Sequence, residues 1–142
     1  MTEFSASRHT WKKTLLTIVW VATCALFAAL LLHPAVPGAI RSVLLKPNRL
    51  LAEIVEYGAH VAVFLVATQL ALVCLEGTTK ARRAAILGLA LVAAVAAEIA
   101  QSWVPTRGVD VLDAACNCAG VGLAALIYGK AFRLRAMLDG AM

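Results

Sequence analysis

Charged residues are sparse in this chain. Asp, Glu, Lys and Arg make up 15% of the 142 residues, against 62% in the hydrophobic class, and mean hydropathy is +0.85. Soluble domains carry roughly 45–50% apolar residues by a similar count. A water-soluble chain of this length would have to expose the excess, which favours aggregation. Cysteine is scarce as well: Cys24, Cys74, Cys116 and Cys118 all fall in apolar stretches, so a secreted disulfide framework is not implied. Cys116 and Cys118, two apart, point to different sides of a helix and read as small packing residues. The net charge of +5 comes with no nucleic-acid-binding motif, so no nucleic-acid partner is expected. No nucleotide or coenzyme A motif is visible, and no cofactor is expected. Length allows one domain, residues 1–142.

What fills the sequence instead is apolar runs long enough to cross a hydrocarbon layer of about 30 Å. They cover residues 14–32, 57–75, 84–104 and 111–128. The fold class they predict is all-α: a polytopic membrane protein with four transmembrane helices in a small bundle. The first run follows Arg8, Lys12 and Lys13 as a signal sequence would, but it exceeds a usual signal core and reads as a permanent span. Pro34, Pro37 and Gly38 stop the first helix, and Gly77 stops the second. Asn48 is a candidate N-cap for a second helix that begins near residue 49, ahead of its apolar run. Pro105-Thr106-Arg107-Gly108 makes a tight turn between the third and fourth spans.

Basic residues set the orientation. Arg8, Lys12, Lys13, Lys80, Arg82, Arg83, Lys130, Arg133 and Arg135 share one side, against Arg41, Lys46, Arg49 and Arg107 on the other. The positive-inside rule then places both termini in the cytoplasm of a cell whose inner membrane holds the chain. The basic loops and tails face anionic lipid headgroups.

Topology gathers the unusual polar residues at the outer end. Glu98 is seven residues before Pro105 and Asn117 is seven after Asp110, each about 10 Å from the turn along its helix. Glu98 and Gln101 share a helix face, as do Asp113, Asn117 and Gly120. Glu53, Glu56, His60 and Phe64 form a third stripe running down the second helix. Ionised groups at mid-bilayer cost about 2.5 kcal/mol or more, so such faces turn toward protein or water. His60, Glu98, Arg107 and Asp113 are the candidate catalytic set; Glu56, Gln101, Asn117 and Arg107 are the candidate substrate-binding set. His60, Glu98 and Asp113 have no diagnostic metal-ligand spacing, and no metal is expected. Gln, Asn and Asp also act as interhelical hydrogen-bond glue, and Gln69 is read that way. Gly120, Gly122 and Ala124 read as a close-packing seam against the third span. Trp103 and Tyr57 fit the interfacial aromatic belt.

The run from Glu98 to Gly120 resembles the signature of the VanZ-like family of small bacterial membrane proteins, named for a teicoplanin resistance protein. Glu98, Gln101, Pro105, Arg107, Asp113, Asn117 and Gly120 agree with it. Upstream, Glu56, His60 and Phe64 fit the family's Asp-Lys-x-x-His and aromatic pattern in part, with Tyr57 where lysine is usual. The resemblance covers roughly residues 50–125. It implies a small bacterial membrane protein of the envelope, in a family whose biochemical activity is not established and whose founding member is associated with teicoplanin resistance; the outward-facing cluster suggests a site that acts on or binds a lipid-linked envelope molecule or a glycopeptide.

Three functions stay open. One is that enzyme or binding site: His60 or Glu98 as general base, Asp113 orienting His60, Arg107 holding a phosphate or carboxylate, Gln101 and Asn117 bonding the substrate. Another is a non-catalytic accessory protein of an envelope or polysaccharide pathway, with a membrane-protein partner or a second copy of itself, and the cluster as an internal latch. The third is a small transporter. Gln69 is the only deep polar group in this reading, so no continuous relay reaches the cytoplasm.

Overall fold

A computed structural model of the chain describes residues 3–32, 49–74, 79–104 and 108–139, and within them it is all-helical. Helix α1 spans Glu3–Leu32, α2 Arg49–Cys74, α3 Lys80–Gln101 and α4 Val111–Asp139. The expected breaks at Pro34, Pro37, Gly38, Asn48 and Gly77, and the turn 105–107 with Arg107, lie outside the described residues.

Three helices are long and apolar enough to cross a membrane, with candidate spans Leu50–Cys74, Lys80–Gln101 and Val111–Leu134. Among the described residues α1 offers a shorter apolar stretch, Thr14–Phe27. The outer surface has the character of an interior: Leu89, Val92 and Leu126 are each more than 60% exposed, whereas His60, Glu98 and Asn117 are buried. Such helices are compatible with a lipid bilayer, whose tails solvate leucine and valine at no cost.

α2 starts at Arg49, as expected, so its first turns precede the apolar run beginning at residue 57. Other helix ends depart from the expected spans for local reasons. α3 stops at Gln101, not residue 104; the Ser102 hydroxyl donates to Ile99 O (2.6 Å) and the next backbone amides fold into a tightened last turn. Thr79 caps the third helix, its side chain accepting from Arg82 N at 3.4 Å. α4 runs on to Asp139, since no proline interrupts the polar tail after residue 128. Its start is held by Asp110, whose carboxylate accepts from Leu112 N (2.8 Å) and whose carbonyl accepts from Ala114 N (3.1 Å).

α4 packs chiefly on α2. Gly120 makes that approach possible: a Cβ there would collide with the Val61 carbonyl oxygen and stand 3.0 Å from Leu65 N. The seam expected against the third span therefore lies against the second. Gly122, by contrast, faces open space. Ala124 and Val121 are buried in the same contact region of α4. α1 is tied to α2 by Trp20, whose indole N–H donates to the Ala67 carbonyl at 2.9 Å. At the bundle end near the start of α3, the Arg83 guanidinium lies over the Phe132 ring, 4.6 Å from its centre, which joins α3 to the tail of α4.

Candidate functional site: a buried polar cluster shared by three helices

Each helix contributes through its own period. α3 turns Ala94, Glu98 and Gln101 inward, at steps of four and three. α4 buries Asp113, Asn117, Gly120, Val121 and Ala124, again at steps of three and four. On α2 the buried positions include Ala52, His60, Thr68, Ala71 and Leu72, spread over about half of the helix circumference, as suits a helix packed against more than one neighbour. His60 is eleven residues inside α2, whereas Glu98 is three from the end of α3 and Asp113 two from the start of α4. The cluster thus sits at one end of α3 and α4, and the first turns of α2 rise past it.

Asn117 is its hub. Its Nδ2 donates to Glu98 Oε1 (2.9 Å) and to the Ala94 carbonyl (3.2 Å). A backbone carbonyl only accepts, so the amide orientation is fixed and Oδ1 is the atom that faces His60 Nδ1, at 2.9 Å. Nδ1 must therefore carry the hydrogen and donate. The other ring nitrogen, Nε2, looks at Asp113 Oδ2 across 3.5 Å, while Nδ1 is 3.7 Å from Glu98 Oε1. One asparagine bonded to two helices besides its own thus sets the tautomer of the imidazole.

Burial is nearly complete: Asn117 0%, Glu98 1%, His60 and Gln101 2%, with Asp113 at 8% the member nearest the outside. Glu98 Oε2 and Gln101 Nε2 have no hydrogen-bond partner among the described residues. The Asp110 backbone N–H lies near the Glu98 carboxylate, bringing the entry to α4 over the cluster. One ligand atom each from His60, Glu98 and Asp113 lies within 4.8 Å of the others. Spacing along the sequence carried no such signal, because the three residues come from three helices.

Of the residues expected to form a site, the structure brings together His60, Glu98, Asp113 and Asn117, with Gln101 buried beside them at the end of α3. Glu56 stands apart from the converging ligand atoms, half-buried one turn nearer the start of α2. Arg107 lies outside the described residues. Sequence reasoning passed over Thr68, which is buried at 3% exposure and joins Gln69 as a polar group deep in α2. Its signal was its place four residues after Phe64, continuing the steps of four through Glu56, His60 and Phe64.

A second feature begins one turn deeper. A cleft of about 550 Å³ opens between α1, α2 and α3, lined by residues that include Trp20, Phe27, Phe64, Thr68, Leu89 and Ala97. Its wall is almost wholly apolar. Phe64 follows His60 by four residues on α2, and Ala97 adjoins Glu98 in sequence, but none of the cluster's own side chains lines the cleft. In comparisons with known proteins, no family model, no curated protein and no solved structure matches the chain.

Proposed function

We propose that the chain is a VanZ-like integral membrane protein of the bacterial cell envelope, whose polar cluster faces outward and binds the head of a lipid-linked envelope molecule or glycopeptide. The observation that carries this reading is the burial of His60, Glu98, Asp113 and Asn117 together at one end of the bundle. Packing alone needs no such concentration of ionisable groups in an apolar environment. The adjoining cleft supports a lipid-linked molecule over a wholly water-soluble one. In this reading α1 is the fourth span, held to α2 through Trp20, and both termini lie in the cytoplasm, as the nine basic residues on that side favour. Arg107 holds a phosphate or carboxylate of the head, Asn117 orients His60, Asp113 stands at its other ring nitrogen, and Glu56 and Gln101 line the approach.

The hydrogen bonds of Asn117 favour a second reading: a latch that locks α2, α3 and α4 in an accessory protein. Binding separates the two. The purified chain in nanodiscs, carrying Trp11→Phe and Trp103→Phe so that Trp20 alone emits, is titrated with a polyprenyl-linked phosphate probe, with fluorescence reporting occupancy of the cleft. His60→Ala and Arg107→Ala are expected to weaken binding at least tenfold while helicity and yield stay normal. Unchanged binding in both folded variants contradicts the proposal, and loss of the folded protein itself favours the latch.

A further inference from the structure

The pair His60 Nε2 and Asp113 Oδ2 poses a chemical problem that the rest of the cluster makes sharper. Because Nδ1 holds the hydrogen given to Asn117, a neutral His60 presents a lone pair at Nε2. The carboxylate of Asp113 also presents lone pairs, and the two acceptors face each other at 3.5 Å in a buried site. A shared proton or a bound cation between them satisfies both. A third acceptor, Glu98 Oε2, is buried and has no hydrogen-bond partner among the described residues.

We propose that His60, Glu98 and Asp113 bind one divalent transition-metal ion of the zinc class, with a coordination position left open. Two ligand atoms of a tetrahedral zinc ion, each about 2.0–2.2 Å from it, stand about 3.4 Å apart. The His60–Asp113 pair is already at that spacing, and the trio fits within 4.8 Å, so Glu98 closes the set through a change of side-chain torsion. One imidazole and two carboxylates match the ligand chemistry of zinc sites that keep a fourth place for water or substrate. Asn117 supplies the outer support such sites use: an acceptor on the far ring nitrogen that fixes the tautomer and aims Nε2 inward. Asp113, the most exposed of the three, marks the entrance.

This inference rests on the pocket being a working site, as proposed above, but its test is separate. The whole chain, purified in detergent and stripped with a chelator, is titrated with Co²⁺ while visible absorption is recorded, then with Zn²⁺ in competition. The expected result is one ion per chain, intense low-coordinate cobalt bands, and a higher thermal unfolding temperature with Zn²⁺. His60→Gln and Asp113→Asn weaken binding at least about 100-fold, Asn117→Ala about 10–100-fold, and replacement of all four cysteines by alanine leaves it intact. Should either ligand variant fail to fold, Glu98→Gln replaces it. Absence of stoichiometric binding by the folded wild-type chain overturns the proposal, and so does binding that survives in the folded ligand variants or disappears with the cysteines. Metal binding without binding of the lipid probe sinks the earlier reading alone; lipid binding by a chain that takes up no metal sinks this one alone.

Discussion

At the scale of single residues, Asn117 does more than its neighbours. It is fully buried and bonds to His60, Glu98 and the Ala94 carbonyl at once, so its removal strips partners from groups that cannot reach water. Interhelical hydrogen bonds in membranes are worth about 0.6–1.7 kcal/mol each. Asn117→Ala is therefore expected to destabilise the protein by about 1–3 kcal/mol, measured by unfolding in mixed micelles of increasing SDS content. His60, Glu98, Asp113 and Asn117 were all legible as candidates, because helical spacing and hydropathy fix which face and which depth each occupies. Their division into catalytic and substrate-binding groups was not. A hydrogen-bond hub is defined by who meets whom across helices, and sequence spacing is silent on that. For the same reason the metal-compatible convergence of His60, Glu98 and Asp113 was invisible: its spacing lies in space, between helices.

At the scale of elements, the α2–α4 contact depends on one missing side chain. Gly120 lies against the backbone of α2 at Val61 and Leu65, where a methyl group has no room, whereas Gly122 faces open space. Gly120→Ala should cost about 1–3 kcal/mol in the same unfolding assay, as overpacking does elsewhere, while Gly122→Ala stays within about 0.5 kcal/mol of wild type. Equal effects at the two positions would contradict the packing described here. The small-residue seam was readable as a seam, but a stripe of glycine and alanine names no partner, and α2 rather than the third span turned out to meet it. Helix existence followed from long apolar runs. Helix ends did not, because Thr79 and Asp110 work as caps inside loops whose hydropathy says nothing about where the first turn closes.

At the scale of the molecule, the distribution of polarity is reversed from that of a soluble bundle: leucines and valines outward, a histidine, a glutamate and an asparagine within. Two parallel helices, α2 and α4, and the antiparallel α3 bring residues separated by more than fifty positions to one end. The alternation of spans along the sequence already required that shared end, which is why the site's location could be read before its contacts. The apolar cleft could not, since a gap between helices is a property of their separation and not of any one helix.

That α2 and α4 deliver these groups to a common point can be measured in the unaltered sequence. The chain holds only two asparagines, Asn48 and Asn117, and three histidines, His9, His33 and His60. Solid-state NMR of the protein in bilayers, with nitrogen-15 in histidine rings and carbon-13 at asparagine side-chain carbonyls, reads the distance between the two labels. With His60 Nδ1 2.9 Å from Asn117 Oδ1, an amide hydrogen bond of this geometry puts nitrogen and carbonyl carbon about 4 Å apart. The account predicts strong dipolar dephasing at that distance, abolished by His60→Ala. No dephasing in the wild-type protein, or a signal that persists without His60, would contradict it.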